Sequence, residues 1–224
     1  MNFIQALKST KYSKDTVELD SMMLDKLHIE LSRMITDISK VMENYGIHWS
    51  LSGGSILGAI RHKGFIPWDD DIDIFITRSE YEKLKKVFDK DLGEKYKLRQ
   101  PGEKGYLFHF PKIEDKRNRI QSVQSVGEEC TGLQIDVFIL ENTFDNALLR
   151  TFNGMICSAF LFIISCERLN LCKENILKYT ENDPNVKKIV ESRAKFSKIF
   201  GFFSCEKWIS IAYKYFGHIK REKK

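Results

Sequence analysis

A chain of 224 residues with a 42% hydrophobic fraction is long enough for one large domain, or for a core domain with an extension. Charged residues make up 30%, as in ordinary soluble proteins, and the net charge of +5 falls short of a nucleic-acid-binding surface while fitting an anionic substrate or an anionic membrane. The five cysteines, an odd number with no Cys-x-x-Cys pair, argue against a disulfide framework or a cysteine-based zinc site and favour a reducing cytoplasm.

Met1 to Lys11 has no apolar core and does not read as a signal peptide. Residues 17–45 read as a long amphipathic helix, with Leu24, Leu27, Leu31, Met34, Ile38, Val41 and Tyr45 at three- and four-residue intervals and Asn44-Tyr45-Gly46 as its stop. Ile47 to Ser52 follows as a first strand. After the turn Gly53-Gly54-Ser55 comes a short helix over Ser55–His62. Asp71 to Ile76 makes a second strand, and Ser79 caps a helix running to about Lys90. Tyr96–Arg99, Tyr106–Ile113 and Asn118–Val126 read as strands. Leu133–Ile139 is a clearer one, with Leu133, Ile135, Val137 and Ile139 alternating against Gln134, Asp136 and Phe138.

Beyond Asp145 the pattern is helical. Met155–Cys166 is apolar or small throughout, falls short of the roughly 20 residues that span a bilayer, and is closed by Arg168. It is expected to be a buried helix, with shallow membrane contact as the second reading. Asp183-Pro184 starts a helix reaching about Phe200, and Ser204 caps a last one through Tyr215. The tail from His218 to Lys224 is basic and expected to fray. The order of helix, mixed sheet, then helices predicts an α/β (α+β) fold: a core over residues 1–144 that includes the first helix, and a helical region over 145–224 packed on it.

The chemistry concentrates in residues 53–73. Asp69, Asp70, Asp71 and Asp73 crowd in front of the apolar Ile74, Phe75 and Ile76, an arrangement that calls for a positive charge; hard divalent cations take such oxygen ligands. Alternation along a strand points Asp71 and Asp73 to one side and Ile72 and Ile74 into the core, with Asp69 joining if the strand extends backwards and Asp70 pointing elsewhere. Asp136, mid-strand between Ile135 and Val137, is the candidate third ligand; buried and unpaired it would cost several kcal/mol (~2–7 for even a neutral polar group). The competing explanation for Asp136 is a salt bridge to Arg61, Lys63 or Lys112. A calcium loop is excluded because Ile74 stands where an EF-hand needs glycine. Gly53 and Gly54 let backbone amides approach a phosphate closely. The residues alone therefore predict metal-assisted chemistry on a phosphate ester.

The stretch Leu57-Gly58-Ala59, then Arg61-His62-Lys63-Gly64-Phe65-Ile66-Pro67-Trp68-Asp69-Asp70-Asp71-Ile72-Asp73, resembles the LicD family of the nucleotidyltransferase superfamily, which includes the fukutin-like proteins. Phe110-Pro111-Lys112-Ile113 and Gln134-Ile135-Asp136-Val137-Phe138 resemble two further strands of that family. The chain departs from its usual Phe-Pro-Leu-Asp with Phe138-Ile139-Leu140-Glu141, and it carries no Tyr-Gly-Asp-like motif. The resemblance, over roughly residues 20–141, implies a nucleotidyltransferase-like sheet. It also implies transfer of a phosphorylated group, phosphocholine or an alditol phosphate, from a CDP-linked donor to a glycan or lipid-linked glycan hydroxyl in capsular, teichoic acid or lipopolysaccharide synthesis.

On that reading Asp71, Asp73 and Asp136 hold Mg²⁺, or Mn²⁺ in its place, and Asp69 or Asp136 accepts the acceptor proton. Gly53, Gly54, Ser55, Arg61, His62 and Lys112 contact the substrate, with His62 also open to a packing role. Trp68 is expected to pack against the Asp loop. The location follows as cytoplasmic, at the inner face of the membrane if the acceptor is lipid-linked, with no nucleic-acid partner. Transfer of a nucleotidyl group itself, a glycosyltransferase built on Asp-x-Asp, and a non-catalytic glycan-binding role are the alternatives.

Overall fold

The computed structural model describes residues 3–124, 126 and 130–219; the basic tail from Lys220 onward lies outside the described residues. A short helix that periodicity did not announce, α1 (Phe3–Ser9), comes first. Helix α2 (Ser21–Asn44) starts where Asp20 accepts a hydrogen bond from the Met23 N–H, and it stops before Gly46, whose φ of +60° suits glycine. Then follow β1 (Trp49–Leu51), α3 (Gly53–Arg61), β2 (Ile72–Thr77), α4 (Arg78–Asp91), β3 (Tyr96–Arg99), β4 (Lys112–Asp115) and β5 (Gln134–Leu140). Four helices close the described chain: α5 (Ala147–Leu171), α6 (Lys173–Tyr179), α7 (Pro184–Phe200) and α8 (Cys205–Phe216). The result is the mixed α/β fold that the pattern predicts.

The sheet order is β1-β2-β5-β4-β3, with β2 and β5 parallel and the other pairs antiparallel. One face carries Ile72, Ile74, Ile76, Ile135 and Val137 into the main core, against Leu31, Met34 and Ile38 of α2 and Tyr81, Leu84 and Phe88 of α4. Alternation sends Asp73 and Asp136 to the opposite face. The C-terminal helices hold two smaller cores, one around Leu169, Ile176 and Val190, the other around Ile164, Trp208 and Ile209. Arg78 ties them to the sheet, because it pairs with Glu141 and stands 4.3 Å over the Tyr213 ring.

Four expectations are corrected. The strand expected over Tyr106–Ile113 is irregular until Lys112, and β4 instead runs on to Asp115. Pro111 has no N–H to donate; its carbonyl accepts from the Val137 N–H at 3.0 Å. The strand expected over Asn118–Val126 is reduced to a single bridge, Ile120 to Thr131, with Ser125 outside the described residues. Thr77, not Ser79, caps α4, its hydroxyl accepting from the Glu80 N–H. Finally, the apolar run at Met155–Cys166 belongs to a helix of 25 residues, long and apolar enough by length and composition to cross a membrane, with only 6% of its most apolar window buried. Leu148, Phe152, Met155 and Phe162 are exposed; Ile164, Cys166 and Leu169 anchor the other end. The periodicity identified the helix, but burial needs a partner surface, and α7 and α8 cover only part of it.

Gly58 shows how tightly the loop before β2 is packed. A Cβ there would lie 2.7 Å from the Gly64 carbonyl oxygen and 3.0 Å from the Ile66 nitrogen, both backbone. Gly154, inside α5, has nothing within 4 Å of an added Cβ. Gly58→Ala is expected to lose about 1–3 kcal/mol, roughly 3–10 °C in melting temperature, whereas Gly154→Ala gains up to about 1 kcal/mol from helix propensity. Scanning calorimetry of both variants checks this, and a neutral Gly58→Ala would contradict the packing described.

Candidate active site

Strand register assembles one charged row across the sheet. Asp73 pairs with Asp136, Asp136 with Lys112, and Lys112 with Arg99, so all four side chains leave the same face. The Ser52 N–H, just past β1, donates to the Asp73 carbonyl at 2.9 Å and extends the row. Asp71 precedes β2 by one residue and falls on the same side as Asp73. Asp69, Asp70 and Asp71 each offer a carboxylate oxygen within 4.8 Å of the others. Asp70, expected to point elsewhere, thus joins the cluster.

The negative charge exceeds the positive charge beside it. Lys112 donates to Asp136 Oδ1 at 2.8 Å and to Gln134 Oε1 at 2.9 Å, and its ammonium lies 4.1 Å over the Phe108 ring. The salt bridge weighed as the competing role for Asp136 is therefore present. It neutralises one of five neighbouring carboxylates. Enclosure by the protein, then the charges of Asp73, Asp69, Asp70 and Asp136, push the Asp71 carboxyl up to about 7. Enclosure, then Asp136 and Asp69, push Asp73 up to about 6 against the opposing pull of Lys112. The donor set is all oxygen, and it suits a hard divalent cation.

The glycines that open α3, expected as a turn before it, touch this cluster directly. Gly53, at φ +51°, would place a Cβ 3.1 Å from Asp73 Oδ2, and Gly54 would place one 2.6 Å from Asp69 Oδ2. A side chain at either position would fill the space the carboxylates use. Ser55 Oγ accepts from the Asp73 N–H at 2.9 Å, which fixes the start of β2. Arg61 and His62 end α3, about 12 Å along its axis from Gly53. Both are exposed and neither lines the cavities that hold Asp71 and Asp136.

His28 of α2 holds the Asp loop from behind. Its Nε2–H donates to the Asp69 carbonyl at 2.7 Å, and its ring stacks on Phe65 at 4.1 Å with planes 5° apart. The signal lay in the helix pattern: position 28 sits on the stripe of Leu24 and Leu31, where a polar ring interrupts the apolar sequence. Trp68, expected to pack against the loop, is instead 76% exposed and meets only the edge of His62 among ring contacts.

Two cavities flank the acidic residues. One, about 590 Å³, is lined by Asp71, Asp136, Lys112, Arg99, Phe108 and Arg168 among others; a second, about 790 Å³, runs from Asp70, Asp71 and Asp136 to Leu19 and Met23 before and within α2. Of the candidate residues, Asp71, Asp136 and Lys112 thus face open space; Asp73, Gly53, Gly54 and Ser55 stand beside them. Arg99 and Arg168 were missed as site residues. Arg99 sits at a strand end with no motif around it, and Arg168 read only as the end of an apolar run.

Comparison with known proteins agrees with this geometry. Residues 46–153 match the family described as LicD/FKTN/FKRP, nucleotidyltransferase domain. Lipopolysaccharide cholinephosphotransferase LicD of Haemophilus influenzae is 38% identical over 101 residues, which cover 44% of this chain and 37% of that protein. An uncharacterized protein of Rickettsia typhi is 31% identical over 121 residues, covering 54% and 32%. Human ribitol 5-phosphate transferase FKRP is 53% identical over 36 residues, covering 16% of this chain and 7% of that protein. The chain thus spans less than two fifths of the length of these relatives. The similarity to the LicD family thus runs through residues 46–153, which carry the glycines that open α3, the Asp loop and the paired strands β2 and β5.

Proposed function

We propose that the protein is a phosphotransferase that moves a phosphorylated group, phosphocholine or an alditol phosphate, from a CDP-linked donor to a hydroxyl of a cell-surface glycan or its lipid-linked precursor. The observation that carries this reading is the Asp73–Asp136 pair on adjacent parallel strands, with Asp71 two residues before Asp73 and the side-chain-free start of α3 against it. The names of the relatives, a cholinephosphotransferase and a ribitol 5-phosphate transferase, support the class of group moved.

Asp71, Asp73 and Asp136 would hold Mg²⁺ or Mn²⁺, with Asp69 and Asp70 at its edge. A bound divalent ion supplies neutralisation of the phosphate oxygens and of the charge that develops on the leaving nucleotide. Gly53 and Gly54 admit the phosphate to the backbone. Lys112, oriented by Asp136, Gln134 and Phe108, presents positive charge to it. The acceptor oxygen forms a bond to the distal phosphorus, the bond from that phosphorus to the bridging oxygen breaks, and the electron pair leaves with CMP. The acceptor proton passes to Asp69, which stands against Gly54 and is fixed through its backbone by His28.

Location at the membrane surface belongs to the same proposal. Leu148, Phe152, Met155 and Phe162 form one exposed stripe on α5, Phe162 meets Phe196 of α7 at 5.5 Å between ring centroids, and Lys195, Ile199 and Lys198 are exposed beside it. An apolar stripe edged by lysines suits an anionic bilayer.

Asp71→Asn and Asp73→Asn are each expected to lower turnover at least 100-fold while the fold survives, measured as CMP release from CDP-choline, CDP-ribitol or CDP-glycerol with Mg²⁺. Release of phosphocholine or of the alditol phosphate in place of CMP would instead indicate nucleotidyl transfer, and near wild-type turnover in both variants would remove the site assignment.

The raised carboxyls set the sign of a pH effect. Asp71 and Asp73 hold protons more tightly folded than unfolded, so without a divalent ion the folded state gains stability as pH falls from 8 toward 5 and loses it as pH rises through about 6–7. The neighbours Asp69, Asp70 and Asp136 favour this uptake and Lys112 opposes it. Mg²⁺ needs the deprotonated forms, so its stabilising effect should grow over the same interval. Thermal scans at several pH values, with and without Mg²⁺, test both trends, and a flat profile identical in Asp71→Asn would contradict them.

Vesicles rich in anionic lipid should co-sediment the wild-type protein, and Phe152→Ser with Met155→Ser should reduce the bound fraction several-fold. Equal sedimentation of the variant would exclude the α5 stripe as the contact.

A further inference from the structure

Arg168 projects from α5, beyond the segment that matches the family, into the cavity of about 590 Å³ that also holds Asp71 and Asp136. Its guanidinium lies 4.1 Å over the Phe108 ring, and its Nη2 donates to Gln124 Oε1 at 2.8 Å. The other two cations of the cavity are matched. Lys112 is paired with Asp136 at 2.8 Å, and Arg99 with Glu103 at 3.3 Å and Glu114 at 3.5 Å. Arg168 has no carboxylate within 4 Å among the described residues.

An enclosed guanidinium with a neutral hydrogen-bond partner and an aromatic face is an expensive arrangement unless an anion completes it. A guanidinium keeps its charge in proteins, and its planar fork of five donors matches two phosphate oxygens at once. The Phe108 ring carries both Arg168 and Lys112, each at 4.1 Å. Two cations gathered on one ring repel each other, and an anion bound between them would reverse that cost.

We propose that Arg168 is a substrate-binding residue that takes phosphate oxygens in this cavity, with Lys112 beside it and with Phe108 and Gln124 as positioning residues. The ligand class is a phosphate or pyrophosphate ester. The site is then completed by a residue of the C-terminal helical region and not by the sheet domain alone. The assignment deepens the phosphotransferase reading, but it can be examined without turnover.

The experiment is calorimetric titration of the full chain with inorganic pyrophosphate in the absence of divalent ions. Arg168→Gln should weaken binding about 10- to 100-fold with an unchanged melting profile, as loss of a charged bidentate contact does. Arg168→Lys should recover part of the affinity. Should Arg168→Gln not fold, wild-type protein treated with phenylglyoxal should show Arg168 shielded by pyrophosphate, read by peptide mass spectrometry. Equal affinity in Arg168→Gln, no binding by the wild-type chain, or no shielding would overturn the inference. If pyrophosphate binding depends on Arg168 and no CDP-linked donor is turned over, the phosphotransferase proposal fails and this one stands.

Discussion

Two carboxylates on one rung of a parallel strand pair are the constraint on which the rest depends. Asp73 and Asp136 are fixed opposite each other by the register of β2 and β5. At one strand spacing, ~4.8 Å, two unit charges repel by on the order of 3 kcal/mol at an effective dielectric of about 20. The opposite side of the same strands opposes this. Ile72, Ile74, Ile76, Ile135 and Val137 are all buried, each contributing about 1.5–3 kcal/mol. The register cannot slip by one residue without turning those isoleucines to solvent and the aspartates into the core. The hydrophobic face therefore holds an electrostatically unfavourable functional face in place.

The residues between Gly53 and Asp73 act as one clamp around that rung. Gly53 and Gly54 leave room for Asp73 and Asp69, Gly58 leaves room for the backbone at Gly64 and Ile66, and Ser55 holds the Asp73 N–H near the start of the acidic strand. The clamp closes through His28, twenty residues or more upstream, which bonds the Asp69 carbonyl and stacks on Phe65. The unusual identities in this stretch follow from close approach of backbone to backbone and of carboxylate to glycine. Trp68 is the exception: nothing in the folding of the loop explains a ring left mostly in solvent.

Local periodicity carried much of this. The α2 stripe, the alternation in β2 and β5, and the Asp183-Pro184 helix start all correspond to real elements because each depends on neighbours three or four residues away, or two. The facing of Asp71, Asp73 and Asp136 was legible for the same reason. What the sequence hides is pairing at long range. The Lys112–Asp136 bridge depends on antiparallel register between β4 and β5, and the irregular run before Lys112 depends on Pro111 offering only a carbonyl. Arg168 could not be assigned to the site because its place depends on where α5 sets it against Phe108 and Gln124, which no local pattern encodes. The same is true of burial: an apolar helix reads alike whether or not another surface covers it.

Helix α5 links these matters. Its last turns are buried around Ile164, Cys166 and Leu169 and carry Arg168 into the acidic cavity, while its first turns expose Leu148, Phe152 and Met155. At 1.5 Å per residue, Arg168 lies about 20 Å along the axis from Met155. A helix that is rigid over that length converts contact at one end into a fixed distance at the other. On the membrane reading the exposed stripe, which runs on to Phe162, lies along the bilayer, so the length of α5 sets a lateral distance between the membrane contact and Arg168 and not a height above the lipid.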